Sequence, residues 1–494
     1  MRRLLPLICL LLISACTPTD GADEALDVVL IGQDANLTAT GLRLDWPSQK
    51  VRAATRMGLV QLDATGQVVP ALAESWIVTE DGSNYIFRLR NLDLPDGQSL
   101  DARAVRGELV RIMRELEGTS LGLDLAKVQD IRALTTRVIE IRLTSPMPQL
   151  LQLLAQAELG VAPSGEGLGP MEIIDREDEP SSNGPGLVLR ALSPAQRGLP
   201  ERRNWSELVR NVSVRATDAQ MAAELFSSGA ADVVLGGTLV DLPYADTGPL
   251  SRGTIRVEAP PGLFGLDINQ ERGFLAEQQN REALALAIDR DVIADAFGIG
   301  GWTPQTDIIP DGLAGFEREV ASRWRGISLN ERRALARDRT TAYVQDHGEP
   351  VRLSLFLPEG PGGDRLFALL DNDLAQIGID LDRADTARDA NLILRDRVAR
   401  YGHPRWFLNQ FNCGLRNGPC SEEADRLVAL SVRASDPVLS RRLTLEAIEA
   451  MNAANVFIPL GPPLRWSLTR GGIEGFVDNR LASHPLFPLS GAPI

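Results

Sequence analysis

Strand–helix–strand units recur on both sides of Pro260, and that repetition predicts an α/β protein of two lobes around a cleft. A second observation adds a third body: before residue 160, short strands alternate with single helices in a mixed α+β pattern rather than a regular βαβ repeat. A third is size, since the 494-residue chain has material for two or three domains.

The elements follow in order. Leu26 to Ile31 reads as a short apolar strand, and Val51 to Leu62 carries apolar residues up to the turn Asp63-Ala-Thr-Gly66. Trp76 to Val78 is extended. Tyr85, Phe87 and Leu89 alternate with Ile86, Arg88 and Arg90, as in a strand with one mostly apolar face. Ser99-Leu-Asp101 is an N-cap for an amphipathic helix to about Leu116. Val138 to Leu143 is a strand, and Met147 to Ala157 reads as a leucine-lined helix. Ser164 to Pro185, rich in Gly, Pro and acids, is a crossing loop. Val212 to Arg215, Asp218 to Ser228 and Ala231 to Leu235 make strand, helix, strand. After Pro260 come a strand at Phe264 to Ile268 and a helix from Asn280 extended to Ala296. Val351 to Leu357, Leu366 to Ile377 and Ile379 to Leu381 repeat the unit, and Ala390 to Leu394 is a further strand.

The first residues describe an address. Arg2 and Arg3 precede the apolar run Leu4 to Ile13, which has signal-peptide length and is too short to span a bilayer. Ile13-Ser14-Ala15-Cys16 resembles the bacterial lipobox, so residues 1–15 are expected to be removed and Cys16 lipidated. Residues 16–25 form a polar tether, and Thr17 permits either inner- or outer-membrane anchoring on the periplasmic side of a Gram-negative envelope. The formal charge of -15 becomes about -17 once Arg2 and Arg3 are gone, which disfavours nucleic acid and anionic lipid surfaces as partners. In that oxidising setting Cys413 and Cys420, which bracket a turn-forming segment, are expected to form a disulfide. A metal site there lacks a ligand set, because His403 is the only nearby histidine.

Longer stretches resemble a known family. Gly58 to Trp76, with Asp81-Gly82, Tyr85-Ile-Phe-Arg-Leu-Arg90 and Leu94-Pro-Asp-Gly97, is similar to the signature region of the peptide- and nickel-binding class of ABC-transporter solute-binding proteins, family 5. Asn269 with Arg281 to Arg290, Ile309-Pro-Asp-Gly312, Glu423-Ala-Asp425 and Phe457-Ile-Pro-Leu460 extend the resemblance in order. It implies the type II periplasmic-binding-protein fold: lobe I from 26–48, 160–258 and 456–494, an inserted lobe II at 49–159, and lobe III at 259–455. Crossings near Pro260 and Phe457 would act as hinges. It also implies a monomer that captures a small solute by lobe closure for an ABC permease, without catalysis or cofactor.

Departures from the family pattern nominate the site. Where peptide-binding members carry Trp-x-x-Asp-Tyr, with the aspartate on the ligand's amine, this chain has Arg397-Val-Ala-Arg400-Tyr401-Gly-His403. A guanidinium at Arg400 suits a carboxylate, phosphate or sugar oxygen rather than an amine. The competing reading makes Arg400 a surface arginine on a shifted loop. Asn183-Gly-Pro-Gly186 replaces a loop that usually brings a tyrosine. Tyr401, His403, Trp406, Asn409, Asn269, Asn183, Trp302, Arg465 and Trp466 complete the expected ligand contacts, with core packing the rival reading for the tryptophans. Trp76 and Tyr85 are assigned to lobe II structure, and Asp371 and Asp373 to helix-surface charge.

An enzyme is not expected: three histidines and no HExxH, CxxC, Walker loop or GxSxG leave no catalytic constellation. No Met/His cluster suggests a nickel or haem site. The alternative function is a non-transport envelope binding protein of the same fold, such as an orphan receptor, chaperone or scaffold.

Overall fold

The computed structural model describes residues 25–32, 37–94, 97–163, 167–177, 186–246, 248, 253–313, 316, 323–416 and 418–492 (backbone alone at 175–177). Among them, no helix is long and apolar enough to cross a membrane.

A seven-stranded sheet gathers strands far apart in the chain, and Leu26–Ile31 lies at its centre. Val28, Val29 and Leu30 of that strand are 0% exposed, the continuous apolar run expected of a parallel strand covered on both faces. It pairs in parallel with Val212–Thr217 on one side and Val233–Gly237 on the other. The expected strand–helix–strand unit therefore exists with the N-terminal strand between its two strands. Its helix, Ala219–Ser228, is capped by Asp218 and ends on Gly229 in the left-handed region (φ 89°), a backbone conformation that favours glycine. Antiparallel strands extend the sheet: Gly186–Ala191 and Met171–Glu177 at one end, Arg465–Thr469 and Ile255–Glu258 at the other.

A five-stranded sheet follows Pro260, in the order Ile379–Arg383, Val351–Phe356, Leu392–Val398, Gly262–Ile268 and Phe457–Gly461. The last strand was expected with the first lobe. Instead it pairs antiparallel with Gly262–Ile268, so the chain crosses back at Pro462-Pro463 rather than at Phe457. The expected long helix after Asn280 is two, Gln278–Ala287 and Arg290–Phe297, because the extended residues Ile288 and Asp289 interrupt it. Asp289 caps the second helix by accepting from Val292 N. Its own N–H donates to Asp373, which is 5% exposed and ion-paired with Arg333. Asp373 is thus a structural acid, not surface charge.

The third body is a four-stranded antiparallel sheet, Ala73–Val78, Asn84–Leu89, Val138–Leu143 and Val128–Thr135, beside the hairpin Val60–Leu62/Val68–Pro70. The helix expected at Met147–Ala157 shortens to Leu150–Leu154 and a single turn at Ala157–Leu159. Helix Trp46–Thr55, with Asp45 as N-cap and Pro47 in its first turn, straddles the expected boundary at 48/49. Its Val51 and Ala54 pack with the core of the seven-stranded sheet, so this body begins after Thr55. Its own core is continuous with Tyr401, Trp406, Phe407, Ile448 and Met451, and so with the helices Pro404–Asn409 and Pro437–Ala454.

Candidate functional site

Three bodies meet at residues 395–416, and their meeting leaves a cavity of about 420 Å³. Leu42, Arg43 and Leu44 reach it from the segment after the central strand, and Leu116, Gly118, Thr119, Ser120, Leu121 and Glu158 from the third body. Strand Leu392–Val398 points Arg395 and Arg397 into it, the following loop adds Arg400, and the loop after Phe411 adds Leu415 and Arg416. Five guanidinium groups thus line one small cavity.

Two carboxylates partly balance them. Glu158, 4% exposed, accepts from Arg400 Nη2 at 3.2 Å. Asp267 accepts from Arg395 on one oxygen and from Arg416 Nη2, at 2.9 Å, on the other. Five cations against two carboxylates leave an excess of three positive charges. Arg416 Nη2 also donates to Ile268 O at 2.6 Å, yet its Nε and Nη1 are buried without an acceptor among the described residues. Among the described residues Arg397 finds only Gln410 Oε1, at 3.3 Å, and burial beside Arg395 and Arg400 pushes its pKa down. At neutral pH a guanidinium stays charged even so. Arg43 is exposed at the rim.

The loop carrying Arg416 is closed by the Cys413–Cys420 disulfide, with Cα atoms 5.2 Å apart. Cys413 N donates to Asp425 at 2.8 Å, which fixes the loop to the helix Glu422–Arg433. A side chain at Gly418 would meet Ile268 O at 2.5 Å and Arg416 Nη2 at 2.7 Å, so glycine there lets Arg416 lie against the strand.

Of the residues nominated from sequence, Arg400 lines this cavity; its neighbours go elsewhere. Tyr401, 1% exposed, donates its hydroxyl to Asp124 Oδ1 at 3.0 Å, and Asn409 Nδ2 donates to the same oxygen at 2.7 Å. Arg405 donates to the Asp124 carbonyl. Asp124 is 0% exposed, and burial pushes its pKa up to about 6 despite these donors and the nearby Arg405 charge. His403 caps helix Pro404–Asn409, its Nδ1 accepting from Arg405 N at 3.1 Å. Burial, with Arg405 and Lys127 nearby, pushes the imidazole down to about 3, so it is neutral at ordinary pH. Trp406 is 1% exposed, edge-on to Phe407, in the shared core rather than on a ligand.

The remaining candidates support the crossings. Trp302 Nε1 donates to Pro462 O and Trp466 Nε1 to Thr238 O, both at 2.9 Å, and both rings are buried. Arg465 binds Asp396 at 2.7 Å, joining the first sheet to the second. Asn269 donates to Ala387 O and Ala390 O, pinning a loop of the five-stranded sheet. Asn183 and Cys16 lie outside the described residues. Sequence reasoning missed Arg395, Arg416, Arg43 and Glu158. The alternation of Arg395 and Arg397 on one strand was a usable signal, whereas Glu158 looked like any acid.

Known proteins share this architecture. The Escherichia coli murein tripeptide binding protein MppA superposes with a TM-score of 0.77, covering 94% of this chain and 98% of its own at 17% identity. The binding protein AgaA of A. tumefaciens R10, solved with agropinic acid, gives 0.71, covering 95% and 97% at 17% identity. In sequence, the glutathione-binding protein GsiB of Salmonella paratyphi A is 25% identical over 294 residues, 55% of this chain and 53% of that protein. The match thus spans about half the length of that curated relative. The profile of bacterial extracellular solute-binding proteins, family 5 (middle region) matches residues 67–418, and the chain belongs to that family of binding proteins.

Proposed function

We propose that the chain is the extracytoplasmic receptor of an ABC importer, tethered to its membrane through a lipid on Cys16, and that it holds an anionic group of its solute in the arginine-lined cavity. The observation that carries this reading is the cation excess there, with two buried nitrogens of Arg416 lacking an acceptor among the described residues. Buried guanidinium N–H groups without partners are costly, and a carboxylate, phosphate or sulfonate supplies what they lack. Arg400 stands where an amine-binding acid would sit, so a free amine would meet like charge. A similar protein named for glutathione and another solved with agropinic acid are compatible with such a ligand.

Capture follows from differential binding: a ligand touching Arg43 on one body and Arg397, Arg400 and Arg416 on another favours the state in which they are close. Native mass spectrometry of protein purified from the producing envelope tests the ligand. A retained compound bearing an anionic group, displaced in high salt, is the expected result. A retained solute whose only charge is a free amine would overturn the reading. Small-angle scattering should contract on binding, and Cys16→Ser should move the protein from the membrane to the soluble fraction.

A further inference from the structure

A second cavity, of about 530 Å³, shares no lining residue with the arginine-lined one. It lies between helix Trp46–Thr55, the hairpin Val60–Leu62/Val68–Pro70, residues 194–205 and the short helix Leu486–Leu489. Trp46, Trp205, Phe487 and Met57 make its walls largely apolar. The Trp46 ring rests on Gly236, where any Cβ would come within 2.5 Å of it.

Two of the cations that line the cavity stand over its aromatic rings. Lys50 Nζ stands 5.1 Å from the centre of the Trp46 ring, and Arg197 Cζ lies 4.3 Å over Phe487. Neither side chain has a hydrogen-bond acceptor or ion pair among the described residues, and Arg197 Nε is buried without one. The carboxylates nearby are already engaged. Asp63 lines the cavity but accepts from Thr65 and Gln67 within its own turn. Glu258, the acid that acts on Lys50, is held by His484 Nε2 at 2.8 Å and Asn479 N at 2.6 Å. Burial accordingly lowers the Lys50 pKa to about 8.

We propose that this cavity is a second binding site, taking a small aromatic carboxylate whose ring lies among Trp46, Trp205 and Phe487 and whose anion meets Lys50 and Arg197. Its volume falls in the range of small-molecule pockets, and five cations, Lys50, Arg56, Arg90, Arg197 and Arg202, line it against the one carboxylate of Asp63 among the described residues, a pattern that suits an amphipathic anion. Nothing in this depends on the ligand of the arginine-lined cavity.

Titration calorimetry with 2-naphthoate on the purified protein tests it. Saturable one-to-one binding is expected, weakened about tenfold or more by Lys50→Met and by Arg197→Met, each removing one charge-assisted contact. The uncharged 2-naphthalenemethanol should bind at least about tenfold more weakly to the unaltered protein, a comparison that needs no variant to fold. Absence of saturable binding, equal affinity for the alcohol, or affinity lost in Arg397→Met instead would overturn the proposal.

Discussion

Residues 395–416 build two neighbouring places of opposite character. Arg395, Arg397, Arg400 and Arg416 gather around an open cavity with more cations than acids and with donors left over. Tyr401 and Asn409, interleaved in the same stretch, donate to the buried carboxylate of Asp124 while Arg405 donates to its backbone carbonyl, in a site closed to solvent. The first arrangement is poor for stability and suited to an incoming anion. The second ties the five-stranded-sheet body to the inserted one. Both places leave buried polar atoms without partners among the described residues, Arg416 Nε and Nη1 in the first and Arg405 Nε, Trp406 Nε1 and Asp124 Oδ2 in the second. An excess of cations around an open cavity, not polarity as such, is what sets the first apart.

The sharpest test of that contrast is Asp124→Ala. It leaves the Arg405 charge and two donors without their acid, and a loss of about 3–5 kcal/mol is expected in denaturant unfolding. Ligand affinity of the folded fraction should be unchanged; a mild stability effect would break the comparison. Arg397→Met should do the reverse. Affinity for an anionic ligand should fall about 10- to 100-fold, while the melting temperature holds or rises, because burial beside two like charges already disfavours this guanidinium.

The double change Cys413→Ser with Cys420→Ser is expected to cost about 2 kcal/mol through loop closure, and also to weaken ligand binding, since Arg416 rides on that loop. A stability loss with intact affinity would detach the disulfide from the site. The smallest effect is pH-dependent. His403 has a folded pKa near 3 against roughly 6.5 unfolded, so the unfolded state takes up the proton first and stability declines as pH falls through that window. Asp124, raised to about 6, acts in the opposite sense. His403→Asn keeps a competent helix cap and removes the titration. Relative to its pH 7 difference from the unaltered protein, it should gain about 1 kcal/mol at pH 5.5, read from paired melting curves.

Much of the architecture was legible because apolar periodicity is local. Runs such as Leu26–Ile31 and Val351–Phe356 announce strands, and Asp218 followed by an apolar-faced segment announces a helix. Helix Leu329–His347 also had a readable signal, the capping box of Ser328 and Glu331, although the apolar pattern does not display it. Pairing partners were less legible. Phe457–Gly461 reads equally well as a strand of either lobe, and only its bonds to Gly262–Ile268 assign it.

By itself the sequence determined the family and the two α/β sheets with an added body, and it supplied the expectations of an export signal and of Arg400 in place of an acid. Only the tertiary structure decided which polar residues share a cavity. Arg43, Glu158 and Arg416 each lie more than about a hundred positions from the next, and no local pattern marks one side chain as spent on a partner and another as left without one. Tyr401 and Arg400 are adjacent in sequence, yet one donates to a buried acid and the other lines the cavity, because consecutive side chains leave the backbone in different directions.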